Sequence, residues 1–164
     1  MPYVMFHEYF PEVAERETRT ITVMPGSDTG LPAGDYGFLE MYCDERGCDC
    51  RRVFFNVVSS SGRHQEAVVA WGWDEAAFYA RWFTYNDPSI VAELKGPVLN
   101  VGSPQGRLAP AILKLVCDVL LCDTDYIERI KRHYQMFRAA IDGSPSPGPK
   151  ILRIHKRKRR PKQH

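Results

Sequence analysis

The chain has 164 residues, 44% of them hydrophobic and 12% aromatic, which suits one domain with a proper core plus a tail and excludes a wholly disordered polypeptide. No apolar run approaches the roughly 18–20 residues that cross a bilayer, so no membrane partner is expected. The net charge of +2 conceals a division: residues 150–164 hold eight of the 22 Lys and Arg and none of the 20 Asp and Glu, so 14 basic and 20 acidic residues leave −6 on the remainder.

In chain order, the opening MPYVMFHEYFPEV has neither a basic start nor a long apolar stretch. It does not read as a signal peptide, and a cytoplasmic protein is expected. Residues 1–16 read as irregular or briefly helical. Thr18 to Met24 is β-branched and alternating, a first strand. A loop rich in Gly and Pro follows to Asp35. Tyr36 to Cys43, Arg51 to Ser59 and Glu66 to Trp73 read as a second, third and fourth strand.

Helices come after the strands. Asp74 is placed to cap a helix over Glu75 to Phe83, and Asp87-Pro88 opens another that Gly96-Pro97 ends. Leu108 to Leu121 has the spacing of a buried helix. Asp125 with Glu128 has the form of a capping box, followed by the stripe Ile127, Ile130, Tyr134, Phe137, Ile141. Short connections between the strands imply an antiparallel meander. The expected fold class is α+β: a four-stranded antiparallel meander packed against C-terminal helices. The domain is expected to span 1–142. Residues 143–164, opening with GSPSPGP, are expected to be a linker and a disordered basic tail.

Three of five cysteines fall within eight residues, in CDERGCDC at Cys43, Cys48 and Cys50. Disulfide scaffolds spread their cysteines, and Cys48 and Cys50 are too close in sequence for an easy mutual bridge. Zn²⁺ favours thiolate at structural sites, and a hairpin would fold Cys43 back toward the other two, giving a zinc-stapled turn. Gly47 permits the tight turn, and Arg46, Arg51 and Arg52 can offset the charge of the thiolates and nearby carboxylates. Three incidental cysteines at a turn, or a redox group, are the alternatives. The spacing supplies three ligands. Topology nominates His7 as the fourth, because the segment before the first strand should emerge beside the end of the second. Water, Cys122, Cys117, His133 and a carboxylate remain open as well. Cys117 reads as a core residue and Cys122 as incidental to a helix end. His133 reads as an ordinary surface or core-edge histidine, and Glu15 and Glu17 as a solvated face.

The stretches HEYFPEVAERETRTITV and LPAGDYGFLEMYCDERGCDCRRVFFNVVSS resemble a family of uncharacterised bacterial proteins with a similar cysteine-bearing core. The phrase MYCDERGCDCRR carries the resemblance, which implies a small bacterial cytosolic protein and no particular activity. No catalytic set stands out. The paired His-x-Glu and Pro-Cys-x-x-Cys segments of zinc deaminases do not occur together, and no phosphate loop is present. The run Lys156, Arg157, Lys158, Arg159, Arg160 has the composition of an arm that binds DNA or RNA without sequence preference. The functional expectation is a non-enzymatic zinc domain acting as a binding module. The alternatives are a metal-dependent enzyme or regulator with an open zinc site, and a module for a protein partner.

Overall fold

A computed structural model describes residues 3–62, 64–84 and 87–143. The order is β1 (Tyr3–Met5), α1 (Phe6–Tyr9), α2 (Pro11–Glu17), β2 (Arg19–Val23), β3 (Gly34–Cys43), β4 (Arg52–Ser59) and β5 (Gln65–Gly72). There follow α3 (Ala76–Phe83), α4 (Pro88–Lys95), β6 (Val98–Leu99), α5 (Ala109–Asp118), a 3₁₀ turn (Leu120–Cys122) and α6 (Thr124–Gly143). The fold class is α+β, with an antiparallel sheet. The four expected strands are β2 to β5, and β1 and β6 raise the described count to six. The expected linker and tail after Gly143 lie outside the described residues. No helix among the described residues is long and apolar enough to cross a membrane.

Alternation in β3 organises the molecule. Tyr36, Phe38, Glu40 and Tyr42 point to one face and are buried there, while Gly37, Leu39 and Met41 point to the other. The first face continues through Val53, Phe55 and Val57 of β4 and receives α5 and α6. Tyr42 meets Tyr134 and Phe137 of α6 at ring separations of 6.0 and 5.6 Å, and Phe55 meets Tyr126 at 6.3 Å. On the opposite face, Phe54, Val68 and Ala70 form a smaller cluster on which Tyr3 and Val98 pack. α4 lies against β5 and is followed by Gly96 at φ +62°, where a Cβ would also strike the carbonyl oxygen of Ala70, so both the conformation and the close approach require glycine.

β1 and β2 share one edge of β3. β1 pairs with Met41 to Cys43, and β2 pairs with Gly34 to Phe38. Leu39 and Glu40 have no strand beside them on that edge, and α1 and α2 bridge the gap.

Some helix boundaries depart from the sequence expectation for local reasons. α6 is capped by Asp123, whose Oδ1 accepts from the Tyr126 amide at 3.0 Å, and not by Asp125. Asp74 leaves the start of α3 to pair with Arg51 at 3.2 Å. Asp87 caps α4 as expected, through the Ser89 amide at 2.9 Å. The buried segment expected over Leu108 to Leu121 is α5 followed by the 3₁₀ turn. The break leaves Val119 exposed and returns Leu120 to the core.

Phe137 is wholly buried between Tyr42 and Tyr9. Phe137→Ala is expected to cost about 3–5 kcal/mol, from lost transfer energy and the cavity left behind. A lowered urea midpoint with an unchanged slope would show it.

Candidate metal centre

The Sγ atoms of Cys43, Cys48 and Cys50 all lie within 4.8 Å of one another, a group able to hold a metal ion. Cys43 ends β3. Gly47, at φ +70°, turns the loop, and Arg51, at φ +49°, turns it again before β4 begins. A left-handed conformation costs a non-glycine residue about 1–2 kcal/mol, so other contacts must hold Arg51 there. Its guanidinium pairs with Asp49 at 2.8 Å and Asp74 at 3.2 Å and lies over the Phe78 ring at 4.3 Å. Its carbonyl accepts from the Tyr79 hydroxyl at 2.9 Å, and its amide donates to that of Tyr134 at 3.3 Å. This second turn explains why the strand expected from Arg51 starts at Arg52. It also places Cys50 in the core and Arg52 on the opposite face of the sheet.

The loop is fastened to the end of α6 from both sides. Arg138 Nη1 donates to the carbonyls of Glu45 and Cys48, each at 2.8 Å. Arg46 donates in return to the carbonyls of Ile141 and Asp142 at 3.1 and 3.2 Å, groups that the end of a helix leaves unpaired. Asp142 Oδ1 accepts from the Gly47 amide at 2.9 Å. Arg138 lies outside the apolar stripe of α6, one residue past Phe137. The structure buries it, because the loop carbonyls need a donor.

Cys43 and Cys50 are buried, and Cys48 is half-exposed. The hydrogen bond from Cys50, with help from the Glu45 backbone, Cys48 and Arg138, pulls the Cys43 thiol down to about 6. Cys50 moves up, held protonated by its bond to Cys43 and by burial. Burial also raises Cys48, and the charge at Cys43 adds to the effect. Without metal the group thus concentrates negative charge on one sulfur, and a thiophilic cation would displace protons from the other two. Cys48 borders an open hollow of about 420 Å³ lined by Glu45, Arg46, Asp49, Trp82 and Phe83.

His7 is not in the group. The topology argument required the start of β2 beside Cys43, but Arg19 lies opposite Phe38; it is β1 that begins beside Cys43, and it runs antiparallel to β3 and carries the chain away. Met5 is already opposite Met41, and His7 lies exposed in α1 near Thr18 and Leu39. Cys117 is exposed, not core, because it follows Val116 by one residue and α5 turns it roughly 100° off the buried stripe. Cys122 is exposed and donates to the Cys117 carbonyl at 3.5 Å. Lys156 to Arg160 lie outside the described residues.

A second polar cluster went unread in the sequence. His133 is buried on α6, with Nδ1 2.7 Å from Glu40 Oε2 and Nε2 2.8 Å from Glu17 Oε2. The Tyr42 hydroxyl donates to the same Glu40 oxygen at 2.7 Å, and the Phe6 ring stacks on the imidazole at 4.4 Å. Arg132 and Arg129 reach Glu17 from the solvent side. A carboxylate oxygen thus faces each nitrogen of the ring. The register signalled this arrangement: Glu40 alternates with buried tyrosines and a phenylalanine, and His133 is three residues from Ile130 and four from Phe137. Glu17 is no free surface acid.

Comparison with protein-family models, curated proteins and solved structures finds no match to this chain.

The hydrogen bond from Arg132, with that of His133, holds the Glu17 carboxyl below its ordinary value of 4.5. A lowered acid contributes stability that is complete above its unfolded value and lost as the pH falls through the folded one. Glu17→Gln is therefore expected to destabilise the protein at pH 7 and to make progressively less difference below about 4.5. Urea midpoints of both proteins across that range measure it. A constant difference would show that the ion pairs contribute nothing.

Proposed function

We propose that Cys43, Cys48 and Cys50 hold one Zn²⁺ as a structural centre, and that the domain it staples is a non-enzymatic binding module whose basic tail engages nucleic acid. The observation that carries the metal reading is the convergence of three thiol sulfurs within 4.8 Å. Tetrahedral zinc with bonds of about 2.3 Å sets its sulfurs about 3.8 Å apart, within that compass. The donor set fits zinc, since thiolates suit a borderline-soft ion and the loop carbonyls are already engaged by Arg138. A fourth protein donor closing the site fits this structural role, whereas water at that position fits the runner-up below. Asp49, the nearest acid in sequence to two of the ligands, is engaged by Arg51, which favours a structural role over use as a general base. Binding zinc here contributes directly to folding, because the ligands lie on one loop between two central strands.

The tail reading rests on charge. Eight basic residues follow a remainder of −6, and each phosphate they neutralise releases counterions. Such binding is sequence-blind and steeply dependent on salt. The runner-up is an enzyme or regulator that works at the water-filled fourth position. Replacement of that water by an added thiol or imidazole, followed by a change of reactivity, would favour it.

Metal analysis of the purified protein is expected to find about one zinc per chain, and Cys48→Ser to lose metal and melt at a lower temperature. Stoichiometric zinc in the Cys43→Ser, Cys48→Ser, Cys50→Ser triple variant would falsify the assignment. Arg138→Met keeps all three thiols but frees the loop, and is expected to weaken zinc by about 10–100-fold in chelator competition. For the tail, a chain cut after Gly143 is expected to lose the salt-sensitive affinity of the full chain for a random oligonucleotide. Equal binding by both at low salt would exclude the tail.

A further inference from the structure

β4 opens with an arginine on the face of the sheet that α6 does not cover. Arg52 is only 8% exposed, and its guanidinium lies over the Phe54 ring at 5.0 Å. One weak bond, from Nη2 to the Glu93 carbonyl at 3.3 Å, is its recorded hydrogen bond. Nε is buried with no partner, and among the described residues no carboxylate forms an ion pair with this side chain. The other arginines of the same loop differ, for Arg51 has two carboxylates and Arg46 a helix end. Withdrawing a guanidinium from water costs several kcal/mol unless hydrogen bonds and opposite charge replace the solvent.

Arg52 lines a hollow of about 230 Å³ between α4, β5 and the segment after β6. Among the described residues of the lining Asn100 is the one neutral polar group, and Glu93, exposed, is charged like Arg52 but of opposite sign. The walls are otherwise apolar, built chiefly by Ala70, Ile90, Leu94 and Val98. The thiol group offers Arg52 no substitute partner. It influences the same neighbour, Tyr3, but through charge and not through a hydrogen bond to the guanidinium.

We propose that this hollow binds a small monocarboxylate with an apolar body, the carboxylate meeting Arg52 and the hydrocarbon lying against Ala70, Leu94 and Val98. Guanidinium and carboxylate match in shape and charge, and the pairing supplies the acceptors that Arg52 lacks. The volume equals about eight water-sized volumes of roughly 30 Å³, which limits the ligand to a short chain or a single small ring. An acid without an apolar body would leave the walls unfilled, and a neutral amide would leave the guanidinium without a counter-charge. Pentanoate binding at this site requires no metal, so it is tested apart from the zinc reading, although Phe83 lines both hollows.

Pentanoate is the probe, added to the full-length protein and followed through the ¹⁵N–¹H signal of Arg52 Nε. A saturable shift is expected. Pentanamide should bind at least about tenfold more weakly, since a charged hydrogen bond exceeds a neutral one by about that factor. Arg52→Met should abolish the response by calorimetry. Should that variant fail to fold, Ile90→Trp fills the hollow from its partly exposed side, and it should abolish pentanoate binding without altering the melting temperature. The proposal is overturned by the absence of a saturable shift, by pentanamide or inorganic phosphate binding as tightly as pentanoate, or by a folded Ile90→Trp protein that keeps full affinity.

Discussion

Arg138 does for the cysteine loop what a strand partner does for a strand. Its guanidinium takes the carbonyls of Glu45 and Cys48 at 2.8 Å each, in partly buried hydrogen bonds. Arg46 and Asp142 close the reverse direction across the end of α6. The exchange fixes the loop to a helix that is itself anchored by Tyr126, Ile130, Tyr134 and Phe137. Three thiols within metal-binding distance are the result. A hairpin loop of that length, left alone, would sample many geometries and gather its sulfurs in few of them. The site is therefore held by the helix as much as by the strands that bear it.

Much of this was legible because it followed from period and composition. Alternation marked β2 to β5 to within one or two residues, and clustering marked the three cysteines. Elements of two or three residues have no period, so β1 and β6 gave no signal. They exist because β3 and β5 offered them unpaired edges. Glu40 was legible in principle. It occupies an inward position between Phe38 and Tyr42, where a carboxylate demands a partner, and His133 sits at a core position of α6 facing it. His133 was read by residue type, which favours the surface, and Glu40 was passed over inside its strand; register places both inward. His7 failed for a different reason. The argument set the start of β2 beside Cys43, whereas Arg19 is opposite Phe38 and the place beside Cys43 belongs to β1, which leads away from it before His7 is reached.

The polar interior divides into two kinds of group. Glu40, His133 and Glu17 satisfy one another, and they join β3 to α6 and to the end of α2. Closed networks of this kind add specificity to a packing that apolar residues alone would leave degenerate. Arg52 belongs to the second kind. It is buried without the acceptors that its neighbours in sequence possess, and it faces space. Arg19 Nε and Arg138 Nε and Nη2 are likewise buried without partners, so what sets Arg52 apart is the hollow it lines.

The shared edge of β3 has a further consequence for the behaviour of the protein at high concentration. A sheet edge is a template on which another chain can add a strand, and long, flat, regular edges are the hazardous ones. Here one edge is divided into a three-residue piece and a five-residue piece, with two helices rising between them, and the other ends in a two-residue strand. Among the described residues no uninterrupted ladder longer than five residues is on offer at either side. The same interruption that makes room for Glu40 and His133 thus protects the sheet from growing into a fibre.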